Sequence, residues 1–245
     1  MKSQLSKNGN RVVLVTGGAI RIGAAIADEL AKAGWNVVVQ ANRSRAEADA
    51  VCTHLRLYGV HAWSVTADLS LHDAAYALFA DTLKIAGRLD AIVNNAALFS
   101  LKREMSDHER ACMLSVNVYQ PVQLTHSLFD HLIARQARGS VVNLLDQRIA
   151  RVALEAATPY EQSKLLLAQA TVADARAFSP VLRINAVAPG AVLSPTAVTE
   201  KEPAGHIPLG RRPTPADVAS AVRWLLESEA VTGQTLYVDG GQHLL

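Results

Sequence analysis

The apolar positions of this chain fall into short valine-rich runs at 12–15, 37–39, 62–65, 91–93, 141–145, 184–187 and 236–238. Each run is too short for a helix and lacks the clean alternation of a strand with one wet face. Continuous β-branched segments of this length predict strands buried on both faces, as in a parallel sheet. The intervening stretches read as helices. Residues 22–33 are alanine-rich with helical periodicity and stop at Gly34, and residues 73–85 stop at Gly87. Residues 44–58 open on Ser44-x-x-Glu47, a capping box, and stop at Gly59. Ser106-x-x-Glu109 opens a long helix reaching about residue 135, with a kink expected at Pro121. Thr158-Pro159-x-Glu161 combines a cap, a proline at the first helical position and an acid in the first turn, and Thr214-Pro215-Ala216-Asp217 repeats it.

Seven strands alternating with about six helices predict an α/β protein. The fold class is a single doubly wound domain over 11–245, with a mostly seven-stranded parallel sheet and helices on both faces. Residues 1–10 are polar and read as a flexible N-terminus. Residues 189–213 carry five prolines and read as a substrate lid rather than a domain boundary.

Composition narrows the function classes. With 50% hydrophobic and 19% charged residues, the chain has the material for a packed core. A formal charge of +2 gives no reason to expect a nucleic-acid partner. The two cysteines, Cys52 and Cys112, have no metal-ligand spacing, so neither a disulfide scaffold nor a metal is expected. No run of about 18 apolar residues occurs, so no membrane span is expected. The polar start lacks a secretory apolar segment, and cytoplasmic localisation is the expectation.

Candidate chemistry gathers where strands end. The first strand runs into Thr16-Gly17-Gly18-Ala19-Ile20-Arg21-Ile22-Gly23 and then a helix. Glycines at such a turn let backbone approach a pyrophosphate, and the helix N-terminus offers N–H donors. The second strand ends in Asn42-Arg43-Ser44 with no acid. A cation there suits a ribose 2′-phosphate, which predicts NADP(H) over NAD(H); the plainer reading is a solvated arginine beside a helix cap. Asp68, after the third strand, is placed to accept from an adenine amino group. Asn94-Asn95-Ala96-Ala97 follows the fourth. The fifth strand leads into Asp146, and Tyr160 and Lys164 share a helix face four residues apart. An ammonium near a phenol is expected to lower its pKa and favour proton delivery.

These motifs, with the helix asparagine Asn117, Pro189-Gly190 after the sixth strand and Val238-Asp239-Gly240-Gly241 at the end, resemble the short-chain dehydrogenase/reductase family over about residues 11–245. Two departures resemble its pteridine reductase branch: Arg21 stands where most members have a third glycine, and Asp146 where most have a serine. The resemblance implies a Rossmann-type fold. It implies cofactor contacts from Gly17, Arg21, Ile22, Gly23, Asn42, Arg43, Ser44, Asp68, Leu69, Asn95, Ala96, Ala97, Tyr160, Lys164, Pro189 and Gly190.

The resemblance further implies hydride transfer from NADPH to a dihydropterin or dihydrofolate ring. Asp146, Tyr160, Lys164 and Asn117 would be the catalytic group, Asn117 holding a water that links Lys164 to solvent. Arg21, Phe99, Asp146 and Tyr160 would meet the substrate, Phe99 stacking the ring against the nicotinamide. It also implies a homotetramer built through the helices at 106–135 and 159–177. Two details differ from the branch. The separation of 14 residues from Asp146 to Tyr160 is one longer than usual, so that Gln147 or Arg148 is a competing inward-pointing residue, and Ala97 replaces a serine. The alternatives are a carbonyl or alcohol reductase with a non-pterin substrate, and a non-catalytic NADPH-sensing module. The intact Tyr160–Lys164 pair speaks against the second.

Overall fold

The computed structural model describes residues 11–192 and 207–245. The expected flexible N-terminus, and residues 193–206 of the expected lid, lie outside the described residues. The chain alternates strand and helix. It runs β1 (Val12–Val15), α1 (Arg21–Lys32), β2 (Asn36–Ala41), α2 (Arg45–Leu55), β3 (Ala62–Thr66), α3 (Ala74–Ala86), β4 (Ala91–Asn94), α4 (Asp107–Leu114) and α5 (Gln120–Ala134). It continues through β5 (Gly139–Leu144), α6 (Pro159–Ala177), β6 (Leu182–Pro189), α7 (Pro215–Glu227) and β7 (Thr235–Val238). All seven strands are parallel, in the order β3-β2-β1-β4-β5-β6-β7.

The valine runs are strands because both of their faces are covered. Val13 and Val15 of β1 pack with Ile26 and Leu30 of α1 and Val222 of α7. Val12 and Leu14 point the other way, toward Leu78 of α3 and Leu124 and Leu128 of α5. This alternation through one sheet with two apolar layers is the doubly wound arrangement. The order reverses between β1 and β4, and the crevice beyond the strand ends at that switch point is where such folds bind ligands.

Capping boxes form at three of the four expected helix starts, Ser106/Glu109, Thr158/Glu161 and Thr214/Asp217. At the fourth none forms: Ser44 precedes α2 with ψ 54° instead of the extended conformation, and its hydroxyl makes no cap bond. The long helix expected from Ser106 is interrupted at Ser115–Tyr119 by a π-helical turn, upstream of the expected kink. Pro121 is the physical reason. It has no N–H to return to the Asn117 carbonyl, so the perturbation falls one turn before the proline itself.

Candidate active site

The Gly-rich turn is built by close packing. Gly17 has φ +61°, and a Cβ on Gly23 would sit 2.1 Å from the Gly17 carbonyl oxygen, so the start of α1 presses directly on the turn. Three side chains pin it, those of Asn95, Thr16 and Gln40. Asn95 Nδ2 donates to the Thr16 and Gly17 carbonyls at 2.8 and 3.1 Å, and the Asn95 and Ala96 N–H groups both donate to Thr16 Oγ1 at 3.0 Å. Buried Gln40 accepts from the Gly17 N–H at 2.8 Å and donates to the Ala67 carbonyl at 2.8 Å. Gln40 and Thr16 were not among the expected site residues. Their role depends on pairing between distant strands, which local spacing does not reveal. Asn95, expected beside the cofactor, spends its amide on holding the turn.

Ile20, the N-cap of α1, makes no side-chain cap bond. The first N–H groups of the helix therefore lack a side-chain acceptor, as an anion site requires. Arg21 is exposed and has φ +54°. A non-glycine residue in this left-handed region carries about 1–2 kcal/mol of backbone cost. The glycine usual at this position has a backbone reason, and the arginine keeps the conformation at that cost.

Asn42 and Arg43 are exposed beyond β2, with Ser44 partly buried beside them. Asp68 accepts from the Ser70 N–H and hydroxyl at 2.9 and 2.7 Å. Those bonds, with Asn42 and the Arg43 charge, hold its carboxyl below the usual range. Leu69, expected at the cofactor, has its side chain in the core, and its carbonyl accepts from the Ser115 hydroxyl at 2.9 Å. Gly190 follows Pro189 of β6 and packs against the C-terminal turn, where a Cβ would lie 2.4 Å from Gln242 Oε1. Ala97 is exposed on the loop after β4.

The catalytic candidates converge at the end of β5. The Thr158 cap and Pro159 start α6 so that Tyr160 lies in its first turn and Lys164 one turn on. Tyr160 Oη donates to Asp146 Oδ2 at 3.0 Å, so the longer segment between them still closes. Asp146 also accepts from the Arg148 N–H at 2.9 Å, capping the short 3-10 turn Gln147–Ala150. Phe99 is half exposed and meets the Tyr160 ring edge-on, with centroids 4.9 Å apart.

Lys164 is buried, and its ammonium donates to the Leu144 carbonyl at 2.7 Å, 5.9 Å from the centre of the phenol ring. Burial brings its pKa down to about 8, against the pull of Asp146. The expected lowering of the phenol by this ammonium is not what the structure gives. Burial first, and then the Asp146 carboxylate, raise Tyr160 well above its ordinary value. Spacing placed the two groups on one face, but desolvation fixes the sign of the shift.

Asn117 uses its side chain within the protein. Its fully buried amide bridges Leu98, accepting from the N–H at 2.8 Å and donating to the carbonyl at 2.9 Å, and donates to Ser163 Oγ at 3.0 Å. The side chain thus ties the Phe99 loop to α6 at Ser163. Among the described residues no cluster of histidine, cysteine or acidic side chains is arranged to hold a metal. No described helix is long and apolar enough to cross a membrane.

A parallel sheet with a glycine turn at its switch point, and a tyrosine–lysine helix set against the end of β5, define a dinucleotide-dependent oxidoreductase class. Residues 18–243 match the family described as enoyl-(acyl carrier protein) reductase. The chain belongs to the short-chain dehydrogenase/reductase family. Among curated relatives it is 32% identical to glucose 1-dehydrogenase 2 of Bacillus subtilis, covering 96% of this chain and 95% of that one. It is 29% identical to the 3-oxoacyl-[acyl-carrier-protein] reductase FabG of Staphylococcus aureus, over 94% and 97%. Among solved structures it is similar to FolM alternative dihydrofolate reductase 1 of Brucella suis in complex with NADP, with a TM-score of 0.88, 33% identity and 97% of each chain covered.

Proposed function

We propose that this chain is an NADPH-dependent reductase of a pterin-type ring, a dihydropterin or dihydrofolate. The observation that carries the reading is the hydrogen bond from Tyr160 to Asp146, an acid where most of the family has serine, with the Phe99 ring set against the same phenol. The FolM likeness supports it. NADPH, when bound, supplies the hydride. The Gly17–Gly23 turn offers its backbone and the α1 N-terminus to a pyrophosphate, and Arg43 with the uncapped Ser44 hydroxyl suits a 2′-phosphate. Tyr160 Oη holds the proton to be delivered, oriented by Asp146 Oδ2. Phe99 offers a flat apolar face to a flat ring. The same cleft in the cytoplasm, in a homotetramer joined through α5 and α6, completes the proposal.

The relatives that act on sugars and acyl thioesters favour a second reading, a carbonyl reductase. Turnover of dihydrobiopterin, dihydromonapterin and dihydrofolate against ketones, quinones and a 3-oxoacyl thioester, each with NADPH, separates the two. The pterin reading expects the best dihydropterin to exceed every ketone in kcat/KM by about 100-fold or more. A ketone or thioester ahead of all pterins overturns it.

Arg43→Ala is expected to raise KM for NADPH by about 10- to 100-fold and leave KM for NADH nearly unchanged, the value of a charge-assisted phosphate contact. Steady-state titration of both cofactors measures it. Arg21→Gly is expected to keep stability within about 1 kcal/mol, because lost backbone strain offsets added chain entropy. Its KM for NADPH and for the pterin should rise about tenfold, by loss of the guanidinium. Thermal melts and kinetics on the same preparation test both halves.

A further inference from the structure

Arg148 closes a ring of four side chains, with Asp146, Tyr160 and Phe99, beyond the end of β5. Its Nη1 lies 3.1 Å from Asp146 Oδ2, the oxygen that also accepts from Tyr160 Oη, and its backbone N–H occupies Oδ1 at 2.9 Å. Its guanidinium carbon stands over the Phe99 ring, 5.6 Å from the centroid, and Phe99 in turn abuts the Tyr160 ring at 4.9 Å. One guanidinium thus holds the carboxylate that orients the phenol and the aromatic face beside it. A carboxylate at the end of a strand has rotamer freedom, and two N–H bonds from one residue remove it. The planar cation can satisfy the carboxylate in its plane while its face covers the ring.

We infer that Arg148 is a positioning residue for proton delivery: it fixes Asp146 so that the Tyr160 hydroxyl is aimed, and it sets Phe99 beside that hydroxyl. This inference rests on the reading of Tyr160 as the proton donor. Lysine cannot replace arginine here, because a point-like ammonium does not bridge a carboxylate and a ring face at once. Without the guanidinium, Asp146 keeps the backbone N–H but loses the bond that fixes Oδ2.

The test uses the full chain with NADPH and whichever substrate of the panel wild type turns over best. Failure of the pterin reading therefore shows in wild type alone, and failure of this inference shows only in the variants. Arg148→Ala is expected to lower kcat about 10- to 100-fold with KM for NADPH unchanged, and Arg148→Lys to recover little of it. Millimolar guanidinium ion should restore several-fold activity to Arg148→Ala and none to Asp146→Asn. The double variant of these two should be no slower than Asp146→Asn alone, since Arg148 acts through Asp146. Should Arg148→Ala fail to fold, Arg148→Gln, which keeps the stem and removes the charge, takes its place in each comparison. Wild-type kcat in a folded variant, absence of guanidinium rescue, or losses that multiply in the double variant would each overturn the inference.

Discussion

Tyr160→Phe should turn over NADPH about 10³-fold more slowly than wild type while binding NADPH within about twofold as tightly. The substitution removes one oxygen and keeps the ring. That ring is 5% exposed and packs edge-on with Phe99, a contact the phenylalanine preserves. The Asp146 carboxylate is not stranded by the change, because Arg148 still pairs with Oδ2 at 3.1 Å and its N–H still reaches Oδ1. The cost in stability should therefore be near 1 kcal/mol, that of a single hydrogen bond, and the variant should fold. The chemical cost is larger because no other described hydroxyl donates to Asp146 at this point.

The shift of the phenol sets the pH dependence of the wild type. Burial and Asp146 raise its pKa, so the hydroxyl keeps its proton throughout the neutral range and well into the alkaline range. Reduction needs that proton, so the rate should show no alkaline loss from this group near neutrality. Single-turnover absorbance of NADPH measures both rate and binding. Turnover within about tenfold of wild type would remove the phenol from the chemistry.

Sequence alone exposed most of the frame, for a physical reason. Strands buried on both faces leave unbroken valine runs, and the boxes at Ser106, Thr158 and Thr214 satisfy their helix ends locally. Local spacing also placed Tyr160, Lys164 and Asp146 at one strand end. What it did not expose depends on tertiary surroundings. Gln40 looks like an ordinary strand residue until β1 and β3 flank it and its amide bridges the glycine turn to Ala67. Asn117 sits on the expected helix, and its amide bonds both main-chain groups of Leu98, a partner that spacing does not reveal. Leu69 follows the candidate Asp68, and its side chain lies in the core, which spacing does not reveal. Ser44-x-x-Glu47 satisfies a capping pattern, but the turn leaving β2 sets ψ at 54° and keeps the hydroxyl off the helix end.

Lys164→Met is expected to abolish turnover and, at the same time, to stabilise the cofactor-free protein by about 2–3 kcal/mol below pH 8. The amine is 2% exposed, its one described acceptor is the Leu144 carbonyl, and burial holds its pKa at about 8 against an ordinary 10.5. A displacement of that size corresponds to roughly 3 kcal/mol, at 1.36 kcal/mol per pH unit. The sign follows from proton counting. Between about pH 8 and 10.5 the unfolded chain carries this proton and the folded chain does not, so stability attributable to Lys164 rises with pH there. Below about 8 both states are charged and the full penalty applies; above 10.5 it vanishes.

Two other groups oppose it at higher pH. The Cys52 thiol is pushed up by burial to about 11 from 9, and Tyr160 is raised as well, so each contributes stability that is lost as pH climbs past its unfolded value. The clean window is thus about pH 8–9, and the difference between wild type and Lys164→Met isolates the amine across the whole range. Methionine fills the volume of the stem without a charge, and leaves the Leu144 carbonyl to lose one bond, worth about 1 kcal/mol against the gain. Urea denaturation at closely spaced pH values should show the two curves about 2–3 kcal/mol apart at pH 7 and converging toward pH 10. A wild type as stable as the variant at pH 7, or a gap that widens with pH, would mean that the ammonium is comfortably solvated where it stands, and the tension between stability and chemistry at this site would disappear with it.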